Sequence, residues 1–108
     1  MVIRIETTSE GMIVWLSGEL DHHAARQLRQ QVDLAAERAR PKVLRLDFGG
    51  VTFMDSSGIG LIMGRYRLMQ LSGGSLVVTG ASERLCRVMR LAGLDKLGIL
   101  KDMAENKS

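Results

Sequence analysis

Hydrophobic and polar positions alternate along the first part of the chain. Ile3 and Ile5, then Met12, Val14 and Leu16, fall on one parity, and Glu10-Gly11 between them supplies turn chemistry. The pattern predicts an N-terminal hairpin built from Val2 to Thr8 and Met12 to Ser17. From Asp21 onward the period changes. Ala24, Leu28, Val32, Ala35 and Ala39 recur at helical spacing, with Arg26, Arg29, Gln30, Asp33 and Glu37 on the other side. An amphipathic helix follows, with Asp21 as its N-cap and a stop near Arg40 imposed by Pro41.

Lys42 to Phe48 returns to strand character, with Leu44, Leu46 and Phe48 alternating against Arg45 and Asp47. Gly49-Gly50 reads as a turn, and Val51 and Phe53 lead into the stretch Phe53-Met54-Asp55-Ser56-Ser57-Gly58-Ile59-Gly60. Beyond it Ile59, Ile62, Met63, Tyr66 and Met69 form a helical stripe that Gly73-Gly74 ends. Leu76, Val77 and Val78 make an apolar run suited to a strand covered on both faces. Ser82 caps a third predicted helix with Leu85, Val88, Met89 and Ala92 inward, ended by Gly93. Leu97 to Leu100 suggests a last short strand, and Lys101 to Ser108 is a polar tail, either a weak final helix or frayed. Strands alternating with helices imply parallel pairing, and the hairpin adds an antiparallel edge. The predicted class is α/β: a small mixed sheet of 4 to 5 strands with about four α-helices packed on it.

At 108 residues the chain suits one domain spanning 1–108. An apolar share of 45% and a charged share of 25% point away from disorder, and no apolar run approaches a membrane span of ~18 residues. The N-terminus lacks the charged-then-apolar layout of a signal peptide, so the expected compartment is the cytoplasm. Cys86 is the one cysteine, which leaves no internal disulfide or thiol pair and favours a small buried hydrophobe. A net charge of +3 is small for a nucleic-acid binder, and no aromatic platform is present, so no direct DNA contact is expected. Arg84, Arg87 and Arg90 read as a solvated helix face, or as steering toward an acidic protein.

The two adjacent serines carry the candidate chemistry. They fall at a helix start, where backbone N–H groups lack partners and a hydroxyl is a natural cap. Ser56 is read as that cap, although Asp55 could fill the same position and leave at least one serine redundant. Gly60 and Gly64 each cost about 1 kcal/mol against Ala inside a helix. Their spacing strips one face, for another element of the fold or for a partner's backbone to approach. Leu61, Leu68 and Leu71 lie off the main stripe, which suggests a contact surface. Phosphate on the serine would add about −1.5 to −2 charges at the end of that surface.

Other chemistries fit less well. A serine nucleophile could use His22 or His23 as base, but the Gly-x-Ser-x-Gly elbow is absent because Met54 precedes Asp55. Adjacent histidines on one helix point about 100° apart and do not readily share a metal. Gly58-Ile59-Gly60 lacks the Walker lysine and spacing.

Three segments together carry a resemblance: Gly18-Glu19-Leu20-Asp21-His22-His23, placed in the loop after the hairpin, Phe53-Met54-Asp55-Ser56-Ser57-Gly58, and Gly64-Arg65-Tyr66. The chain resembles the STAS-domain anti-sigma factor antagonists of the sporulation type over about Val2 to Leu100. The resemblance implies a partner-switching cycle. The unphosphorylated antagonist binds an anti-sigma factor that is a serine kinase and frees the sporulation sigma factor F. The kinase phosphorylates the serine after the aspartate, Ser56 by position, and a serine phosphatase reverses this. By the resemblance Asp55 and Ser57 flank that serine and Asp21 lies in a loop near the partner. With the helix face read above, the expected partner-binding positions are Asp21, His22, His23, Asp55, Ser57, Gly58, Gly60, Leu61 and Gly64. No catalytic residue, cofactor or metal is implied. Stress-response antagonists share the Asp-Ser-Ser/Thr-Gly core, and an unphosphorylated STAS scaffold remains an alternative.

Overall fold

A computed structural model describes residues 1–103. The strands are β1 (Val2–Thr7), β2 (Met12–Leu20), β3 (Val43–Met54), β4 (Ser75–Thr79) and β5 (Leu100–Lys101). The helices are α1 (His22–Ala39), α2 (Ser56–Ser72) and α3 (Glu83–Leu91), with a 3-10 turn at Leu94–Leu97. The described residues thus hold three α-helices rather than about four, since Leu94–Leu97 closes only a 3-10 turn. A final helix in the tail would fall on residues 104–108, outside the described residues.

The sheet runs β1-β2-β3-β4-β5, with β1 and β2 antiparallel and every later pair parallel. Because crossovers are right-handed, a strand order that never reverses puts all three helices on one face. Burial agrees with that placement. Met12, Val14 and Leu16 of β2, Leu44, Leu46 and Phe48 of β3, and Leu76 and Val78 of β4 are buried toward the helices. They join one core with Leu28 and Val32 of α1, Ile62 of α2 and Met89 of α3.

The opposite face carries Trp15, with the guanidinium carbons of Arg4 and Arg45 5.2 and 5.4 Å from its ring centroid. Arg45 donates to the Thr79 hydroxyl at 3.0 Å and to Asp47 at 3.3 Å. Arg4, Trp15, Arg45, Asp47 and Thr79 thus make a largely polar patch on a face that no helix among the described residues covers.

Several local readings of the sequence change in the structure. The last strand is Leu100–Lys101 and not Leu97 to Leu100, because Leu97 closes the 3-10 turn. Gly49-Gly50 is not a turn, because β3 continues through it to Met54. The pairing of β2 with β3 shifts between Trp15 and Ser17. At Gly50 a Cβ would sit 2.6 Å from the Ser17 Cβ, so the glycine permits close strand approach. Gly18-Glu19-Leu20 is strand, not loop, which leaves Asp21 alone between β2 and α1. In α3 the buried set is Leu85, Cys86 and Met89, while Val88 and Ala92 are exposed. The short helix meets the core with a face turned by one position from the predicted stripe. Arg84, Arg87 and Arg90 are exposed, as a solvated face requires.

Candidate functional site

Parallel β2 and β3 end level with one another, with Leu20 opposite Met54. Each is followed by a single aspartate and then a helix, so two helix starts stand side by side at the carboxyl edge of the sheet. Asp21 accepts a hydrogen bond from the Ala24 N–H at 2.9 Å, and Asp55 accepts one from the Ser57 N–H at 2.8 Å. Both carboxylates are N-caps with extended backbone. The Asp55 N–H also donates to the Leu20 carbonyl at 3.3 Å, which ties the second cap to the end of the first strand.

Ser56 is therefore not the cap. It is the first residue of α2, and it is exposed. Ser57 is half-buried, with its hydroxyl 3.4 Å from His22 Nδ1. Asp55 makes the serine redundant, the alternative already visible in the sequence. The His22 contact falls on Ser57 and is longer than the ~2.6 to 3.2 Å that proton transfer to a base requires. His22 and His23 are exposed first-turn residues of α1.

The glycines separate into two kinds. Gly58 is buried, and a Cβ there would lie 2.3 Å from Met54 Cγ and 3.1 Å from Leu20 Cδ2. It serves the packing of α2 onto the strand ends. Gly60 and Gly64 have no atom within 4 Å of a Cβ built on them. Among the described residues no element closes on that stripped face.

Leu61 behaves differently from the reading that grouped it with Leu68 and Leu71. It is 5% exposed and belongs to the core, whereas Leu68 and Leu71 are 46% and 85% exposed. Helix α2 is apolar on several sides, so periodicity alone could not tell which leucines turn inward.

A groove of about 440 Å³ opens between the starts of α1 and α2. His22, Arg26 and Arg29 line it from α1, and Gly60, Gly64 and Arg65 from α2. The exposed Arg26 Nη2 stands 3.5 Å from His22 Nε2. Arg65 is only 7% exposed, and its Nε lies 3.1 Å from Asp33 Oδ1. Burial lowers its pKa, Asp33 pushes it back up, and Arg29 lowers it further. The residue reading missed Arg65 because an arginine inside a helical stripe looks like a surface position. The one available signal was its place in Gly64-Arg65-Tyr66.

A family model described as "Mlab, STAS domain" matches residues 3–101. An anti-sigma F factor antagonist of Paenibacillus polymyxa is 39% identical over 95 residues, covering 88% of this chain and 81% of that protein. An anti-sigma-B factor antagonist of Bacillus subtilis (strain 168) is 32% identical over 92 residues, covering 85% and 83%. Among solved structures, the anti-sigma factor antagonist SpoIIAA in its unphosphorylated form superposes with a TM-score of 0.83 at 30% identity, over 96% of this chain and 90% of that one. The phosphorylated form of the Bacillus cell fate determinant SpoIIAA gives 0.76 at 31% identity, over 96% and 93%. With two aspartate-capped helix starts side by side, an exposed serine opening the second and these likenesses over nearly its whole length, the chain belongs to the STAS-domain family of anti-sigma factor antagonists.

Proposed function

We propose that this chain is the sporulation-type antagonist of a partner-switching cycle, with Ser56 as its phosphorylated residue. Unphosphorylated, it binds an anti-sigma factor that is also a serine kinase, and so frees sigma factor F in the cytoplasm. Phosphorylation of Ser56 ends the binding, and a serine phosphatase restores it. The observation that carries the reading is the exposed Ser56 beside a helix cap already made by Asp55. A hydroxyl with no capping duty can be modified at little structural cost. The open faces of Gly60 and Gly64 support a partner approaching on the same side of α2. In this reading His22 and Ser57, which line the groove with the two glycines, and the neighbouring His23 meet the partner, while Asp21, Asp55 and Gly58 act by shaping the two helix starts. Leu61 can offer only its edge in the groove.

The anti-sigma-B relative favours a second reading, in which the same chemistry serves a stress-response kinase. One experiment addresses both. The purified protein is incubated with ATP and each anti-sigma kinase of its own genome, then measured by intact mass and phosphosite mapping. A single phosphate on Ser56 with loss of the complex is the expected outcome, and the kinase that achieves it selects the cycle. An unmodified protein, with a control antagonist phosphorylated in parallel, would return the chain to a scaffold role.

A further inference from the structure

The groove between α1 and α2 holds more positive charge than its own acids answer. His22, Arg26 and Arg29 follow one another at four- and three-residue spacing and so share a face of α1. Arg65 faces them from α2, with Nη1 buried and without a hydrogen-bond partner among the described residues. Its Nε stands near Asp33 but off the line of a directed hydrogen bond. Buried donors without acceptors are costly, so this cation is under-compensated and an anion brought into the groove would stabilise it. The nearby carboxylates of Asp21 and Asp55 are engaged as helix caps, and Asp33 serves one arginine of three.

We propose that this groove receives an aspartate or glutamate side chain from the anti-sigma partner, carried on a backbone segment that crosses Gly60 and Gly64. The inference rests on the antagonist reading and names the chemistry of its contact. Charge complementarity selects the occupant, since a guanidinium fork fits a carboxylate with two parallel hydrogen bonds. The glycines give the crossing backbone room that any side chain would fill. Ser57 lines the groove and Ser56 precedes it, so a phosphoryl group there would repel the incoming carboxylate and compete for the same cations.

The test is calorimetric binding to the anti-sigma factor at about 50 mM and about 300 mM salt, where screening differs strongly. The double variant Arg26→Glu/Arg29→Glu changes two exposed residues and leaves Arg65 in place, so its folding is checked simply by its thermal midpoint. Arg84→Glu/Arg90→Glu makes the same charge change on α3 as a control. The expected result is that the groove variant binds at least about tenfold more weakly at low salt and loses most of its salt dependence, while the control keeps wild-type affinity. Equal weakening of both variants would overturn the groove in favour of net charge. Wild-type affinity in the groove variant would overturn it too, with the antagonist reading left standing. A wild-type protein that binds none of its genome's anti-sigma factors would remove that reading and the proposal with it.

Discussion

Arg65 Nε stands 3.1 Å from Asp33 Oδ1, so the second helix reaches the first through a side chain that is 8% exposed, toward a carboxylate that is 39% exposed. The desolvation falls on the arginine, and the pair holds one wall of the groove in place. Replacing Asp33 with Asn leaves the guanidinium beside Arg29 without its counter-charge. The expected loss is about 1 to 2 kcal/mol, below the value for a fully buried pair because water screens Asp33. Urea denaturation of Asp33→Asn reads it as a lower midpoint at unchanged slope. A midpoint equal to wild type would mean that the pair orients Arg65 without stabilising the fold.

The two aspartate caps should outweigh the serine that follows the second of them. Asp55→Ala and Asp21→Ala each remove an acceptor for an otherwise unpaired N–H and should cost about 1 kcal/mol. Ser56→Ala should change stability by less than about 0.5 kcal/mol, as expected of an exposed site without a structural bond. Thermal or urea unfolding of the three variants ranks them. A Ser56→Ala loss as large as that of Asp55→Ala would restore the serine as the cap.

Three glycines of one helix should respond in opposite directions. Gly58→Ala drives a methyl into Met54 and should cost about 1 to 3 kcal/mol, reduced by whatever the thioether can yield. Gly60→Ala and Gly64→Ala meet open space and should each stabilise the helix by about 0.5 to 1 kcal/mol. If the partner's backbone crosses there, the same two substitutions weaken binding. More stable variants with undiminished affinity would place the partner elsewhere.

The parts of the fold that local chemistry determines were readable from the residues. Asp21 and Ser82 cap α1 and α3 as their residue types predict, and Gly73 takes the left-handed C-cap with φ 82° that its position predicts. The strand parity in Leu44, Leu46 and Phe48 survived intact because one face of the sheet is covered and the other is not. What tertiary contact decides was not readable. Gly49-Gly50 has turn composition, yet pairing with β2 holds it extended, and nothing local records that pairing. The choice of Leu61 over Leu68 as core depends on where α1 lies, and so does the burial of Arg65. The site divides in the same way. Asp55 and Ser56 are named by their place at a helix start, while the cationic groove exists only once two helices separated in sequence stand together.

Phosphate on Ser56 should alter binding without altering the fold. At the first position of α2 the added charge meets a helix N-terminus, whose dipole favours an anion by about 0.3 to 1 kcal/mol even with the Ser57 N–H already taken by Asp55. The thermal midpoint of the phosphorylated protein should therefore equal or slightly exceed that of the unmodified one. Affinity for the anti-sigma factor should fall by about 30-fold to several thousandfold, the equivalent of roughly 2 to 5 kcal/mol for a charge left uncompensated in an interface. Calorimetry on the two forms measures both quantities. A marked drop in the midpoint, or dimerisation, would locate the switch in the stability of the fold. An unchanged midpoint with lost binding locates it at the contact, where the phosphoryl group stands between the partner and the α1–α2 groove.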